Sequence, residues 1–496
     1  MPRKITFIGA GSIGFTRSLM RDLLSVPELR DFEYAFTDID KRNLDMVAQL
    51  CQRDIDGNGL TTKLTVSMDR KEALRDANYV FCVVRIGGLE AFATDIDIPL
   101  KYGVDQCVGD TICAGGIMYA QRGIAALLDF CKDIREVAAP DCILFNYANP
   151  MAMLTWACNK YGGVRTIGLC HGVQGGHWQI ANALGLAQEE VDIICAGINH
   201  QTWYISVKHK GRDMTGRLLE AFEKHPEYSK TEKVRIDMLR RFGYYSTESN
   251  GHLSEYVPWY RKNAKEINKW IDPSNWIHGE TGGYLRVCTE GRNWFKSDFP
   301  NWMKAPAYEF KAEGRSHEHG SYIIEGLETG RVYRGHFNVV NHGCITNLPP
   351  DAIIETPGYV DRNGINIPIV GDLPPGCAAV CNASISVQRL GVEAAVHGDD
   401  LLLRQAMMMD PLTGALLTPP QIWQMADEML VAQARWLPQY KKSIEAARRR
   451  LKSSRLLPTI KNNGGAFRLK AKSVGEMKKS ADAATRNAAA SEKGRK

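Results

Sequence analysis

The chain has 496 residues, 44% hydrophobic and 24% charged, the composition of an ordinary folded protein large enough to bury a core, which excludes disorder as its main state. Thirteen cysteines fall without paired spacing, the N-terminus lacks an apolar signal core and no run approaches ~18 uninterrupted apolar residues, so a reduced, cytoplasmic protein with no membrane partner is expected. The net charge of +6 belongs to the tail, because residues 461–496 hold ten Lys/Arg against three Asp/Glu and leave 52 basic against 53 acidic side chains elsewhere; no nucleic-acid partner is expected.

In chain order, the apolar run 4–8 reads as a strand that enters Gly9-Ala10-Gly11-Ser12-Ile13-Gly14 and then a helix over 15–24. Strands follow at 33–38, ending on Asp38, and at 77–84, then a helix over 118–137. Further strands at 142–147, 164–169 and 191–195 alternate with helices at 151–160 and 177–186. This β-α-β alternation predicts an α/β fold, a Rossmann-like doubly wound parallel sheet over residues 1–200. Beyond 210 the pattern loosens into charged helical stretches (214–242, 384–409, 420–452) between Gly/Pro-rich loops, which predicts a second, mixed α+β domain over 201–458 for substrate and subunit contacts. Residues 459–496 read as a basic, disordered extension.

The glycines Gly9, Gly11 and Gly14 follow a strand and open a helix, the context in which this spacing cradles a pyrophosphate, with Ser12 in the same loop. An acid at the end of the second strand accepts hydrogen bonds from a ribose and repels a 2′-phosphate, so Asp38, with Asp40 as its neighbour, favours NAD over NADP. Three polar groups leave later strands: Asn146 to Pro150, Cys170-His171-Gly172-Val173-Gln174, and Gly197 to His200. Cys170 and His200 could share a metal at adjacent strand ends; on ligand type alone that metal would be zinc or ferrous iron, and equally each residue could be a buried structural one. Ser316-His317-Glu318-His319 lacks the HExxH spacing and reads as a loop lining the pocket.

With these residues the chain resembles glycoside hydrolase family 4, the NAD- and divalent-metal-dependent glycosidases. The likeness runs over about 4–350, from Phe7 to Ser12, through Gly109-Asp110-Thr111 with Gly115-Gly116-Ile117, Asn146 to Pro150, Cys170 to Val173 and Gly197 to His200, to Thr247-Glu248-Ser249 and Ser254 to Trp259. It implies a lactate/malate dehydrogenase-like architecture, Cys170 and His200 as ligands of a metal that is usually manganese, Asn149 against the sugar, and a homo-oligomer, dimer or tetramer. The histidine after Cys170 places the chain with relatives acting on unphosphorylated sugars, and Ile86 to Phe92 lacks the arginine of phosphosugar members. Gly172 leaves α-galactoside and α-galacturonide both open, and the extended match favours the α-galactoside.

The resemblance also implies a mechanism unlike that of two-carboxylate glycosidases. NAD oxidises C3 of the sugar, the metal polarises the ketone, a base removes the C2 proton, C1 expels its oxygen, and addition of water and reduction complete hydrolysis with no net redox change. The implied base is Tyr256, with Tyr260 as alternative. The implied acid is His171, with Asp110 second or orienting substrate. The rivals are a plain NAD-dependent 2-hydroxy-acid dehydrogenase and a non-catalytic NAD-binding sensor, neither of which needs a Cys–His metal pair.

Overall fold

The computed structural model describes residues 3–272, 275–453, 455–460 and 465–481. Lys4–Ile8 (β1), Glu33–Thr37 (β2), Leu64–Val66 (β3), Tyr79–Cys82 (β4), Ile143–Asn146 (β5) and Thr166–Gly168 (β6) pair in parallel in the order β3-β2-β1-β4-β5-β6. Helices cover both faces of this half, so its central strands carry no solvent face: all four residues of β4 and of β5 are buried. Their side chains alternate between two cores. Tyr79, Phe81, Ile143 and Phe145 join Phe7 and Phe36 on one side, with Phe7 stacked 4.9 Å from Phe81; Val80, Cys82 and Leu144 meet Ile117 and Ile124 of the helix Cys113–Val137 on the other.

The sheet continues past β6. Val191–Ile198 (β7), Gln201–His209 (β8), Arg212–Asp213 (β9), Tyr333–Val340 (β10), Ile353–Asp361 (β11) and Gly364–Asn366 (β12) extend it as β6-β10-β11-β7-β8-β9, all antiparallel, with β12 beside β11. Two late strands are thus spliced between β6 and β7, through Asn338 opposite Gly168 and Glu355 opposite Gly197. The boundary expected at residue 200 lies in the turn of the β7–β8 hairpin. Gly335, Pro357 and Gly358 hid β10 and β11 from a propensity reading. Helices Pro375–His397, Asp400–Met409 and Pro419–Ala432 then close the core that Leu144 and Ile117 begin.

The tail differs from the disordered extension that its composition suggests. Residues 465–472 lie along the body, where Asp97, Asp105, Glu280 and Glu290 offer acceptors to their backbone amides and to Arg468. Residues 461–464 and 482–496 lie outside the described residues.

Candidate active site

The glycine-rich turn leaves no room for side chains at its first two glycines. Gly9 has φ +86°, and a Cβ there would stand 2.8 Å from the Val84 side chain. The Gly11 amide donates to Asp38 Oδ2 at 2.8 Å, and a Cβ on Gly11 would meet that same oxygen at 2.9 Å. Around Gly14 nothing lies within 4 Å of a Cβ position, so the space over the first turn of the helix Ile13–Leu24 is open, and Ser12 caps that helix without a side-chain bond. Asp40 is committed elsewhere: it caps the helix Lys41–Gly57 by accepting from the Asn43 amide. Asp38 also accepts from the Asp40 amide on Oδ1 at 2.8 Å, with Ile39 beside it 97% exposed.

At the C-terminal ends of β6 and β7 three donors converge. Cys170 Sγ, a His200 nitrogen and a Glu248 carboxylate oxygen all lie within 4.8 Å of one another. Burial and the charges of Glu355 and Glu248 push the Cys170 thiol well above its usual value, so it holds its proton until a cation replaces it. Burial lowers His200 to about 4, which keeps the imidazole neutral as a metal ligand must be. The set of a thiol, a neutral imidazole and a carboxylate fits a divalent transition metal.

A relay of hydrogen bonds aims His200. The amides of Cys107, Val108 and Gly109 donate to Glu255 Oε1 at 2.9, 3.2 and 3.1 Å. Glu255 Oε2 lies 2.7 Å from His252 Nδ1, and His252 Nε2 lies 2.9 Å from His200 Nδ1. Assigning the His252 proton to Nδ1 lets His200 Nδ1–H donate to Nε2 of His252, which leaves the lone pair of His200 Nε2 on the side of Glu248, 4.0 Å away. Thr111 bridges the relay to Asp110: its hydroxyl donates to Asp110 Oδ1 at 2.9 Å and lies 3.3 Å from His200 Nδ1.

The other expected residues surround this centre. His171 presents 63% of its side chain to solvent, and its Nδ1 is 3.3 Å from Glu318 Oε1. Glu318 outweighs desolvation and raises the imidazole to about 9, so it is protonated at neutral pH. Asp110 is wholly buried and accepts from Arg85 Nη2 at 3.0 Å and Asn149 Nδ2 at 3.3 Å. Asn149 Oδ1 and Arg85 Nη1 are buried and have no hydrogen-bond partner among the described residues. Tyr256 is wholly buried, its hydroxyl donating to the Asn199 carbonyl at 3.3 Å and its ring edge-on to His252 at 5.4 Å. Burial and the charges of Glu248, Glu255 and Asp110 raise it well above 10. Tyr260 is not brought to the centre; its hydroxyl donates to Asp237 at 3.0 Å.

The chain is similar to known proteins over most of its length. Residues 4–186 match the model of the family 4 glycosyl hydrolases, and residues 195–413 match that of the family 4 glycosyl hydrolase C-terminal domain. The chain belongs to glycosyl hydrolase family 4. This family 4 chain is 58% identical to an α-galactosidase of Rhizobium meliloti (strain 1021), over 98% of this chain and 99% of that one. It is 36% identical to an α-galactosidase of Bacillus subtilis (strain 168), over 88% of this chain and 100% of that one. A 6-phospho-α-glucosidase from gut microorganisms, solved with NAD and glucose-6-phosphate, superposes with a TM-score of 0.73 at 25% identity, covering 88% of this chain and 99% of that one.

Several residues of this site, His252 of the relay among them, carry no role in the sequence reading. Glu248 and Glu255 stood inside the Thr247-Glu248-Ser249 and Ser254-to-Trp259 blocks that carried the resemblance, so the signal was there without a role. Glu318 came from Ser316 to His319, whose spacing excludes a metal motif but does place an acid against His171. Arg85 immediately precedes the segment Ile86 to Phe92, and only the fold shows it turned onto Asp110 beneath Phe92, Tyr119 and Tyr284, each ring 4.5–5.2 Å from the guanidinium.

Proposed function

We propose that the protein hydrolyses terminal α-galactosides, with the cluster of Cys170, His200 and Glu248, at the same C-terminal edge of the sheet as the glycine-rich turn, as the observation that carries the reading. The 58% identity to an α-galactosidase over nearly the whole chain supports the sugar. Bound NAD+ and a divalent ion such as Mn2+ would supply reversible oxidation at C3 and Lewis acidity at the neighbouring oxygens. Gly9, Gly11, Ser12 and Gly14 hold the pyrophosphate and Asp38 the ribose; Cys170, His200 and Glu248 hold the metal.

His171 donates a proton to the departing glycosidic oxygen, because its Nδ1 is held by Glu318 and its open edge faces solvent. Asn149 presents Oδ1 to a sugar hydroxyl while its amide is fixed on Asp110. Tyr256 takes the C2 proton. For that its hydroxyl must lose the proton that three carboxylates now favour, and a divalent charge on Glu248 opposes that effect. A homo-oligomer and a cytoplasmic location belong to the same reading. Thirteen free cysteines suit a reduced compartment, and among the described residues no helix is long and apolar enough to cross a membrane.

An α-galacturonide is favoured by one observation, the spare Arg85 Nη1, which could meet a sugar carboxylate. The deciding experiment measures p-nitrophenol release from the α-galactoside and the α-galacturonide, each with and without NAD+, Mn2+ and reductant. Galactoside turnover that needs all three, without accumulating NADH, is expected. Turnover of the galacturonide alone would overturn the substrate, and stoichiometric NADH with a polyol or hydroxy acid would overturn the reaction.

A further inference from the structure

The loop over residues 105–110 carries both halves of the site's support: its middle amides hold Glu255, and through it His252 and His200, and its end is Asp110. This loop has little secondary structure of its own, so something must hold it. Asp105, at its start, accepts from Arg261 Nη2 at 2.6 Å, from the Thr281 hydroxyl at 2.8 Å and from the Ala466 amide at 2.8 Å. The second of these partners leads back to the site. Gly282 donates its amide to the Gln106 carbonyl at 2.8 Å and Tyr284 donates to the Cys107 carbonyl at 3.2 Å, and the Tyr284 ring lies 5.2 Å from the Arg85 guanidinium that holds Asp110.

The third partner is the tail. Thr281 donates its amide to the Phe467 carbonyl at 2.7 Å and accepts the Phe467 amide on Oγ1 at 3.2 Å, while Leu469 and Lys472 donate their amides to Glu280 and Glu290 and Arg468 pairs with Asp97. Gly465 is built into this seam: with φ +78°, a Cβ there would stand 2.5 Å from Thr281 Cγ2 and 2.8 Å from Asp105 Oδ2. Both family models end before this segment, the longer-reaching one at residue 413.

We propose that residues 465–473 are a positioning strap that clamps 280–284 onto 105–110 and so fixes Asp110 and the relay behind His200. Its basic character is then complementary to the acids along its bed. Release of the strap leaves the fold intact but lets the catalytic loop move, and misplacement of an orienting loop lowers turnover more than it weakens substrate binding.

The test compares the full chain with Gly465→Ala and with a chain ending after Pro458. Amide exchange in residues 105–110, kcat and KM for the α-galactoside, and Mn2+ affinity from the signal of free Mn2+ are measured in each. Faster exchange at 107–109, with kcat down about tenfold or more and KM changed by less than about threefold, is expected in both variants, together with weaker Mn2+ binding. A synthetic peptide of residues 459–481 should restore exchange protection and kcat to the shortened chain. If Gly465→Ala exchanges and turns over like the full chain, the strap role is overturned, whatever the shortened chain does. The activity and Mn2+ arms rest on the proposed site. A full chain that binds no Mn2+ would sink that reading, while the exchange arm would still decide the strap.

Discussion

Glu318 does for His171 what a carboxylate does for any imidazole it touches: it favours the cation. Replacement by Gln keeps the shape and removes the charge, so the His171 pKa should fall from about 9 toward 6.5. Because the protonated form is the proposed acid, the alkaline limb of kcat/KM should move to lower pH by one unit or more, roughly following the lost attraction. An unmoved limb would remove His171 from the acid role. Glu355 behaves in the opposite sense. Burial, assisted by the charge of Glu248, raises its carboxyl to about 8, so in the metal-free protein the folded state prefers it neutral. The sign follows: its penalty begins as pH rises past the unfolded value near 4.5 and is fully present above 8. Glu355→Gln should therefore stabilise the chelated protein at pH 8.5 by roughly 2–4 kcal/mol and do little near pH 5, as read by urea unfolding at the two pH values.

Two helix N-termini divide the chemistry between them, and each has a glycine where a Cβ would strike an acid. At the start of the helix Gly172–Leu184, a Cβ on Gly172 would stand 2.5 Å from Glu248 Oε2; before the helix Ile13–Leu24, a Cβ on Gly11 would stand 2.9 Å from Asp38 Oδ2. Gly172→Ala should push Glu248 off the Cys170–His200 pair and weaken Mn2+ binding about tenfold or more while NAD+ binding is kept. Gly11→Ala should do the reverse, weakening NAD+ by about tenfold or more with Mn2+ retained. Titration calorimetry with each ligand separates the two, and a parallel loss of both ligands in either variant would mean general damage. Gly172, the residue that leaves the substrate open between galactoside and galacturonide, thus has a local cause: Glu248 occupies the room a side chain would need. The sequence made the glycine conspicuous but could not show the acid 76 residues away that fills the space.

What was legible follows the range of the interactions. Five of the six parallel strands, the glycine-rich turn, and Cys170 with His200 at strand ends were readable because strand, turn and helix succeed one another within a few tens of residues, whereas the three-residue β3 was missed and the strand read at 191–195 pairs antiparallel instead. Glu255, Glu318 and Arg85 were not, since each acts on a residue brought near only by the tertiary fold. The same long-range closure decides how the molecule unfolds. β10 and β11 stand between β6 and β7, and one core joins Leu144 and Ile117 to Ile353, Ile385 and Met425, so neither half owns a complete sheet or a complete core. Chains of this length often unfold in stages because their domains are separable. Here a cut at residue 200 would open two unpaired strand edges and bare the apolar face between them. Urea unfolding followed by far-ultraviolet circular dichroism and by tryptophan fluorescence should therefore give one coincident transition, and residues 1–200 expressed alone should fail to fold. Two separated transitions, or a folded fragment binding NAD+, would show that the parallel half closes its own core without the inserted strands.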